Sequence, residues 1–298
     1  MSGTLETDQF ATLANGMRLH YASAGERGKP LLLFAHGFPE FWYAWEAQLR
    51  EFGADHFAVA PDLRGFNLSD QPAEVSAYKA RHIIEDLQLL ATHLGYRKFV
   101  LVAHDWGGAI AWNLAIALPQ LLHKLIIVNA PHPWLFFQAL TRDPAQAAAS
   151  AYMNWLRTDG AGEALARGDF AMMDGFFADR SGSIAPWFAG VVRERYHACW
   201  ARGLRGALNY YRASPLPPPT ADEPGPLALE LDPEDFRVRV PTRVIWGESD
   251  RALPAALLDG LDEWVDDLVV ERIAEGSHWL VHEQPERINR LLRGFLRS

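Results

Sequence analysis

The chain reads as an α/β protein: a mostly parallel sheet covered by helices on both faces, with a helical segment inserted late. Three observations predict this. The runs "PLLLFAHG", "HFAVAPDLRG", "KFVLVAHD" and "HKLIIVNAP" are continuously apolar, as expected of strands buried on both faces rather than one. Helical stretches separate them: between Arg81 and Leu94, the residues Ile83, Ile84, Leu87, Leu90 and Leu94 recur at helical spacing. After Pro133 the strand rhythm lapses for roughly a hundred residues, where an ordinary connection takes about 2–6.

In chain order, "QFATLANGMRLHYASAG" sets Asn15-Gly16 between two alternating runs, which predicts an antiparallel hairpin. The four apolar strands and their helices follow. The interval 134–239 is helical and aromatic-rich, with Trp155, Phe176, Phe177, Trp187 and Trp200. It is expected to form a cap over a core built from residues 1–133 and 240–298. The proline-rich "SPLPPPTADEPGP" leads back to the sheet through "RVPTRVIWGESD" and "LVVERIAEGSH", and a last helix is predicted from about Pro285 to Arg297. No internal repeat is visible.

Composition narrows the function. With 298 residues, 49% of them hydrophobic, the chain can bury one large core. A net charge of -9 repels a nucleic-acid backbone or an anionic membrane, so neither is expected as a partner. The opening "MSGTLETDQF" has no basic and then apolar leader pattern, and there is no apolar run of 18 residues; a cytoplasmic protein is expected. The single cysteine, Cys199, rules out an internal disulfide. The eleven histidines show no H-E-x-x-H or similar spacing, so no metal and no organic cofactor is expected.

One segment asks for chemistry. In "VAHDWGG" a buried strand ends at His104 and a helix opens by Gly107, which puts Asp105 on a tight strand-to-helix turn with Ala103 and Gly107 two residues to either side. This is the nucleophile-elbow spacing with aspartate in place of serine. An aspartate there also suits an N-cap accepting backbone N–H groups. Three further segments bear on the choice. "HGFPEFW" follows a strand with a turn whose amides can face the sheet end as oxyanion donors. "IWGESDRALP" puts Asp250, and "EGSHWLVHEQP" puts His278, just beyond late strands, where ligands bind in open α/β sheets. The chain order of nucleophile, acid and histidine is that of a hydrolase triad.

From about Phe10 onward the chain resembles the α/β-hydrolases, whose fold implies an eight-stranded, mostly parallel sheet with an inserted cap. "HGFPEFWYAW", "HDWGGAIAW", "WGESD" and "SHWLVHEQP" resemble the soluble epoxide hydrolases that use an aspartate nucleophile. The resemblance implies Asp105 as nucleophile, His278 as base and Asp250 as its orienting acid. It also implies an oxyanion hole from the backbone N–H groups of Phe38 and Trp106. Asn129, at the alternative acid position, cannot carry the charge. "SAYMNWLRTDG" and "ALNYYRASP" resemble the segments with the paired ring-opening tyrosines, implying Tyr152 and Tyr211, with Tyr210 adjacent to the second. An apolar pocket between cap and core is expected from Trp42, Trp45, Trp106, Trp155, Trp187 and Trp279, its substrate walls from Phe38, Trp106, Trp155 and Trp279. The implied partners are a small apolar epoxide and water, the implied assembly a monomer or homodimer.

A carboxylate needs no proton removed before it displaces a leaving group at saturated carbon. An epoxide opens to an alkoxide and calls for an acid, which a tyrosine hydroxyl supplies. The nearest alternative, a haloalkane dehalogenase, uses the same triad but needs N–H donors for the halide, and Phe38 has no side-chain donor. An alternative of another class is a ligand-binding protein on a hydrolase fold without turnover. Ser69, in a loop without an elbow, makes a serine esterase a poor fit. Of the remaining polar residues, His104 is expected to support the site while pointing away from Asp105. His36 is expected to hold the oxyanion loop, His132 to sit near the cap hinge, and Asp62 and Arg64 to pair locally beside a turn at Gly65.

Overall fold

The computed structural model describes residues 4–178 and 181–297. Eight strands form one sheet: β1 (Leu5–Thr12), β2 (Arg18–Ala24), β3 (Leu31–Ala35), β4 (Phe57–Pro61), β5 (Phe99–His104), β6 (Leu122–Val128), β7 (Thr242–Gly247) and β8 (Leu268–Ile273). Their order is β1-β2-β4-β3-β5-β6-β7-β8. The hairpin β1–β2 and the pair β2–β4 are antiparallel; every later pairing is parallel. Every residue of β3, β4 and β5 is buried, which is why these strands show no polar alternation. The edge strands differ: β1 alternates in burial and β8 is only partly covered.

Helices α1 (Glu46–Phe52), α2 (Ala80–His93) and α3 (Asp105–Ala117) connect the first strands. The last of these is apolar nearly all round, burying Ile110, Ala111, Trp112, Leu114 and Ala115, as a helix at the centre of the molecule must. Between β6 and β7 lie α4 (Pro133–Arg142), α5 (Pro144–Ala149), α6 (Tyr152–Leu156), α7 (Ala161–Asp174), α8 (Val191–Trp200) and α9 (Arg205–Ala213). A break at 167–170 divides α7, where Gly168, Asp169 and Phe170 take positive φ. Short α10 (Leu280–Glu283) and amphipathic α11 (Pro285–Arg297), with Ile288, Leu292 and Phe295 buried, close the chain.

Aromatic donors tie the inserted helices to the sheet side. Tyr196 Oη donates to Glu40 Oε1 at 3.0 Å, Trp200 Nε1 to the Pro39 carbonyl at 2.7 Å and Tyr210 Oη to the Arg64 carbonyl at 3.0 Å. The two ends of the insert meet where His132 Nε2 bonds the Phe236 carbonyl at 2.9 Å. The Asp62–Arg64 pair expected from the sequence does not form. Arg64 reaches instead to α2, where Nη2 donates to Asp86 Oδ1 at 2.6 Å, with Nε on the other oxygen. Asp62 accepts from His20 (2.6 Å), the Trp42 amide (3.0 Å) and Asn67 (2.8 Å). A buried guanidinium needs a two-oxygen partner, which Asp86 offers, whereas both Asp62 oxygens already accept from other donors, the Leu68 amide among them. Gly65 does turn, at φ 86°. Among the described residues no helix is long and apolar enough to cross a membrane.

Candidate active site

The strand order explains how distant segments converge. Because β3 lies beside β5, with Ala35 opposite Ala103, the turn after β3 and the elbow after β5 emerge side by side at the carboxyl edge. Next to them β6, β7 and β8 deliver Asn129, Asp250 and His278 in turn. The elbow itself is one residue long: His104 is extended (φ -128°, ψ 145°) and Asp105 takes φ 50° as α3 begins. The helix thus starts two residues before the glycine pair. Gly107 is required for this turn, since a Cβ there would lie 2.4 Å from the Ala35 carbonyl oxygen.

The Asp105 carboxylate does not cap its own helix. Oδ1 accepts the Phe38 amide at 2.7 Å, and Oδ2 lies 3.6 Å from His278 Nε2. The Trp106 amide, second in α3, belongs to the helix start that has no intrahelical acceptor. His278 Nδ1 donates to Asp250 Oδ2 at 2.6 Å. Asp250 is in turn held by the amides of Ala252 and Leu253, both 2.9 Å, and by Asn129 Nδ2 at 2.9 Å. Asn129, whose Oδ1 also accepts the Gly247 amide, therefore braces Asp250, and it is Asp250 that bonds His278.

Electrostatics follow from this packing. Burial opposes a charge on His278, but the Asp250 and Asp105 carboxylates outweigh it and hold the imidazolium well above its ordinary range. Burial likewise opposes the Asp250 carboxylate, which His278 and the amide donors nevertheless keep low. Tyr152 is pushed up by burial first and then by the Asp105 charge. Tyr211 is pushed up by burial and by Tyr152 and Asp105; the Trp106 side chain lends it a hydrogen bond. Both phenols are therefore protonated donors in the resting site.

A second layer went unread in the sequence. Glu40 is fully buried, with Oε2 2.9 Å from His104 Nδ1 and Oε1 2.6 Å from His282 Nε2 and 3.0 Å from Tyr196 Oη. His104 Nε2 lies 2.9 Å from the His278 carbonyl. Both ring nitrogens of His104 thus face acceptors, so it bridges Glu40 to the backbone of His278 and points away from Asp105, as expected. Burial works against the Glu40 carboxylate, yet the histidine hydrogen bonds hold it well below its usual range. The available signal was a carboxylate set among aromatics in "HGFPEFW". His36, also buried, accepts the Leu63 amide and holds the turn.

Two cavities meet at Asp105. The larger, about 590 Å³, is lined by Phe38, Phe176 and Trp279 and by Asp250, His278 and Glu275. The smaller, about 360 Å³, is walled by Trp106, Ile110, Leu216, Leu231 and Phe236. Tyr152 and Tyr211 line both with Asp105. Phe38, Trp106 and Trp279 therefore stand where expected. Trp155 does not: it is 38% exposed and lines neither cavity. Helix α6 is only five residues long and turns Met153 and Leu156 inward with Tyr152 at the cavity, which leaves position 155 on the outer face. Trp42 and Trp45 are core, and Trp187 stacks on His282 at 4.2 Å. Among the described residues no group of three or more His, Cys, Asp or Glu side chains is arranged to hold a metal.

Residues 30–285 match the family model of the alpha/beta hydrolase fold. Mouse epoxide hydrolase 4 is 36% identical over 291 residues, spanning 95% of this chain and 77% of that protein. Among solved structures, an M145A mutant of an epoxide hydrolase from Bacillus megaterium superposes with a TM-score of 0.88 at 33% identity, covering 97% of this chain and 100% of that one. An epoxide hydrolase from hot-environment metagenomes gives 0.86 at 37% identity, covering 99% of each. With the elbow aspartate, its histidine and the flanking tyrosines on this frame, the chain belongs to the α/β-hydrolase family and stands among its epoxide hydrolases.

Proposed function

We propose that the protein hydrolyses small apolar epoxides to vicinal diols through a covalent ester on Asp105, in the cytoplasm and as a detoxifying step, with the 134–239 insert serving as the cap. The observation that supports this most is the placing of one carboxylate between an amide donor, an imidazole and two phenols.

With Oδ1 held by the Phe38 amide, Oδ2, the oxygen on the His278 side, attacks a ring carbon. The C–O bond of the ring breaks, and the departing oxygen takes a proton from Tyr152 or Tyr211, a donation worth about 10²–10⁴ in rate. Esterification removes the Asp105 charge. That charge is one of the causes holding both tyrosines up and His278 protonated, so its loss eases proton donation by the phenols and frees the imidazole to lose its proton. The imidazolium returns a proton to the phenolate and becomes neutral. His278 then takes a proton from water, the hydroxide adds to the Asp105 acyl carbon, and the Phe38 and Trp106 amides hold the oxyanion. Collapse expels the diol, whose leaving oxygen takes the proton of the added hydroxyl, and leaves the Asp105 carboxylate and the His278 cation restored. Asp250, with Asn129 behind it, keeps the imidazole tautomer and orientation throughout.

The dehalogenase alternative needs N–H donors at the leaving group, but the Trp106 side chain is directed to Tyr211. The deciding experiment is a His278→Gln variant mixed with an epoxide. Its mass is expected to rise by that of one epoxide with no diol released; an unchanged mass, or halide release from haloalkanes without diol formation by the native enzyme, contradicts the proposal.

A further inference from the structure

We propose that the two chambers divide the reactants: the apolar chamber takes the substrate's carbon arm, and the larger one delivers the water that splits the ester. This rests on the epoxide-hydrolase reading. The walls differ in a way the mechanism can use. Asp105, Tyr152 and Tyr211 are shared, but His278 and Asp250 line only the larger chamber, together with Ser249, Ser277 and Glu283. The smaller chamber has no face on the base and is walled mainly by hydrocarbon from α3, α9 and the segment after it.

The reacting ring must lie where Asp105 Oδ2 and both phenols can reach it, which is the junction. A substituent directed into the smaller chamber leaves water for apolar walls, gaining roughly 25 cal/mol per Å² buried, and leaves His278 Nε2 open. The larger chamber, at about 590 Å³, has room for several waters. A bulky group on the other ring carbon has only that chamber to enter. There, between the Phe38, Phe176 and Trp279 rings and the base, it displaces the water that His278 must activate. Ring opening, which needs no water, tolerates such a group; ester hydrolysis does not.

A terminal epoxide with one apolar arm is therefore turned over with little ester accumulating. A 1,2-disubstituted epoxide with two bulky arms gives a burst of ester and then stalls. The test compares styrene oxide with trans-stilbene oxide by rapid quench, with ester read by intact mass and diol by chromatography. The expected result is ester formation within about tenfold for the two substrates, but ester hydrolysis roughly 10²-fold slower for stilbene oxide, as when base catalysis is withheld. A companion variant, Leu216→Trp, fills the apolar chamber. It should raise KM for styrene oxide while leaving ester hydrolysis unchanged. Equal hydrolysis rates for the two esters, slowing confined to ester formation, or a Leu216→Trp effect on hydrolysis alone would overturn the division of reactants while leaving the activity intact. Absence of ester and diol from both substrates would overturn the activity itself.

Discussion

Consider Gly37→Ala. A Cβ built at position 37 falls 2.2 Å from Asp105 Oδ1, 2.3 Å from its Cβ and 2.6 Å from its Cγ, where ordinary contact begins at 3.4 Å. The two groups must therefore separate by about 1.2 Å, the difference between 3.4 and 2.2 Å. The backbone at 37 is not among the positive-φ positions, so the strain falls on the carboxylate or on the adjacent Phe38 amide. Either movement breaks their 2.7 Å hydrogen bond. Loss of one oxyanion donor costs about 10²–10³ in rate, or roughly 2.7–4 kcal/mol, and a 1 Å misplacement about 10². The first figure belongs to ester hydrolysis, where the amides hold the oxyanion, and the second to attack on the ring, so ester formation should slow about 10²-fold and ester hydrolysis about 10²–10³-fold. Overpacking costs stability of about 1–3 kcal/mol, which lowers the melting temperature while leaving a cooperative transition. Single-turnover mass measurement of the ester, paired with thermal melting, checks both parts. A folded Gly37→Ala enzyme forming ester within twofold of the native rate refutes the reasoning.

Two more expectations follow from the same geometry. Tyr152→Phe and Tyr211→Phe together should slow ester formation by about 10²–10⁴ while leaving hydrolysis of a formed ester unaffected; an equal loss in both steps, seen by rapid quench, contradicts the assignment. In Asp105→Ala, the His278 pKa read by NMR titration should fall below the native value, because one of the two carboxylates that raise it is gone. The sign carries into stability. A raised folded-state pKa stabilises fully below the unfolded value of about 6.5 and less as pH climbs through the folded value, so the variant loses this contribution at lower pH than the native protein.

Much of the fold was legible because burial on both faces leaves a plain mark: β3 and β4 are apolar without a break, β5 is so up to its terminal His104, and Pro285–Arg297 is one helix in sequence and structure alike. The convergence of Asp105, Asp250 and His278 could be read from their places at strand ends, since strand order converts such places into neighbours. What escaped was set by orientation. Trp155 shares a segment with Tyr152 but lies on the opposite side of a short helix. Arg64 found its carboxylate on α2 rather than two residues away. Glu40 went unread because its partners, His104, His282 and Tyr196, come from positions scattered across the chain. No local pattern encodes such a meeting.

The central claim, that Asp105 itself attacks and is regenerated through its own acyl carbon, is tested most directly by one turnover of excess enzyme in heavy-oxygen water. The account predicts that the heavy atom enters the peptide bearing Asp105 and that the diol of that turnover contains no solvent oxygen. A labelled diol with an unlabelled Asp105 peptide would mean that water attacks the ring directly, and the covalent route would be wrong.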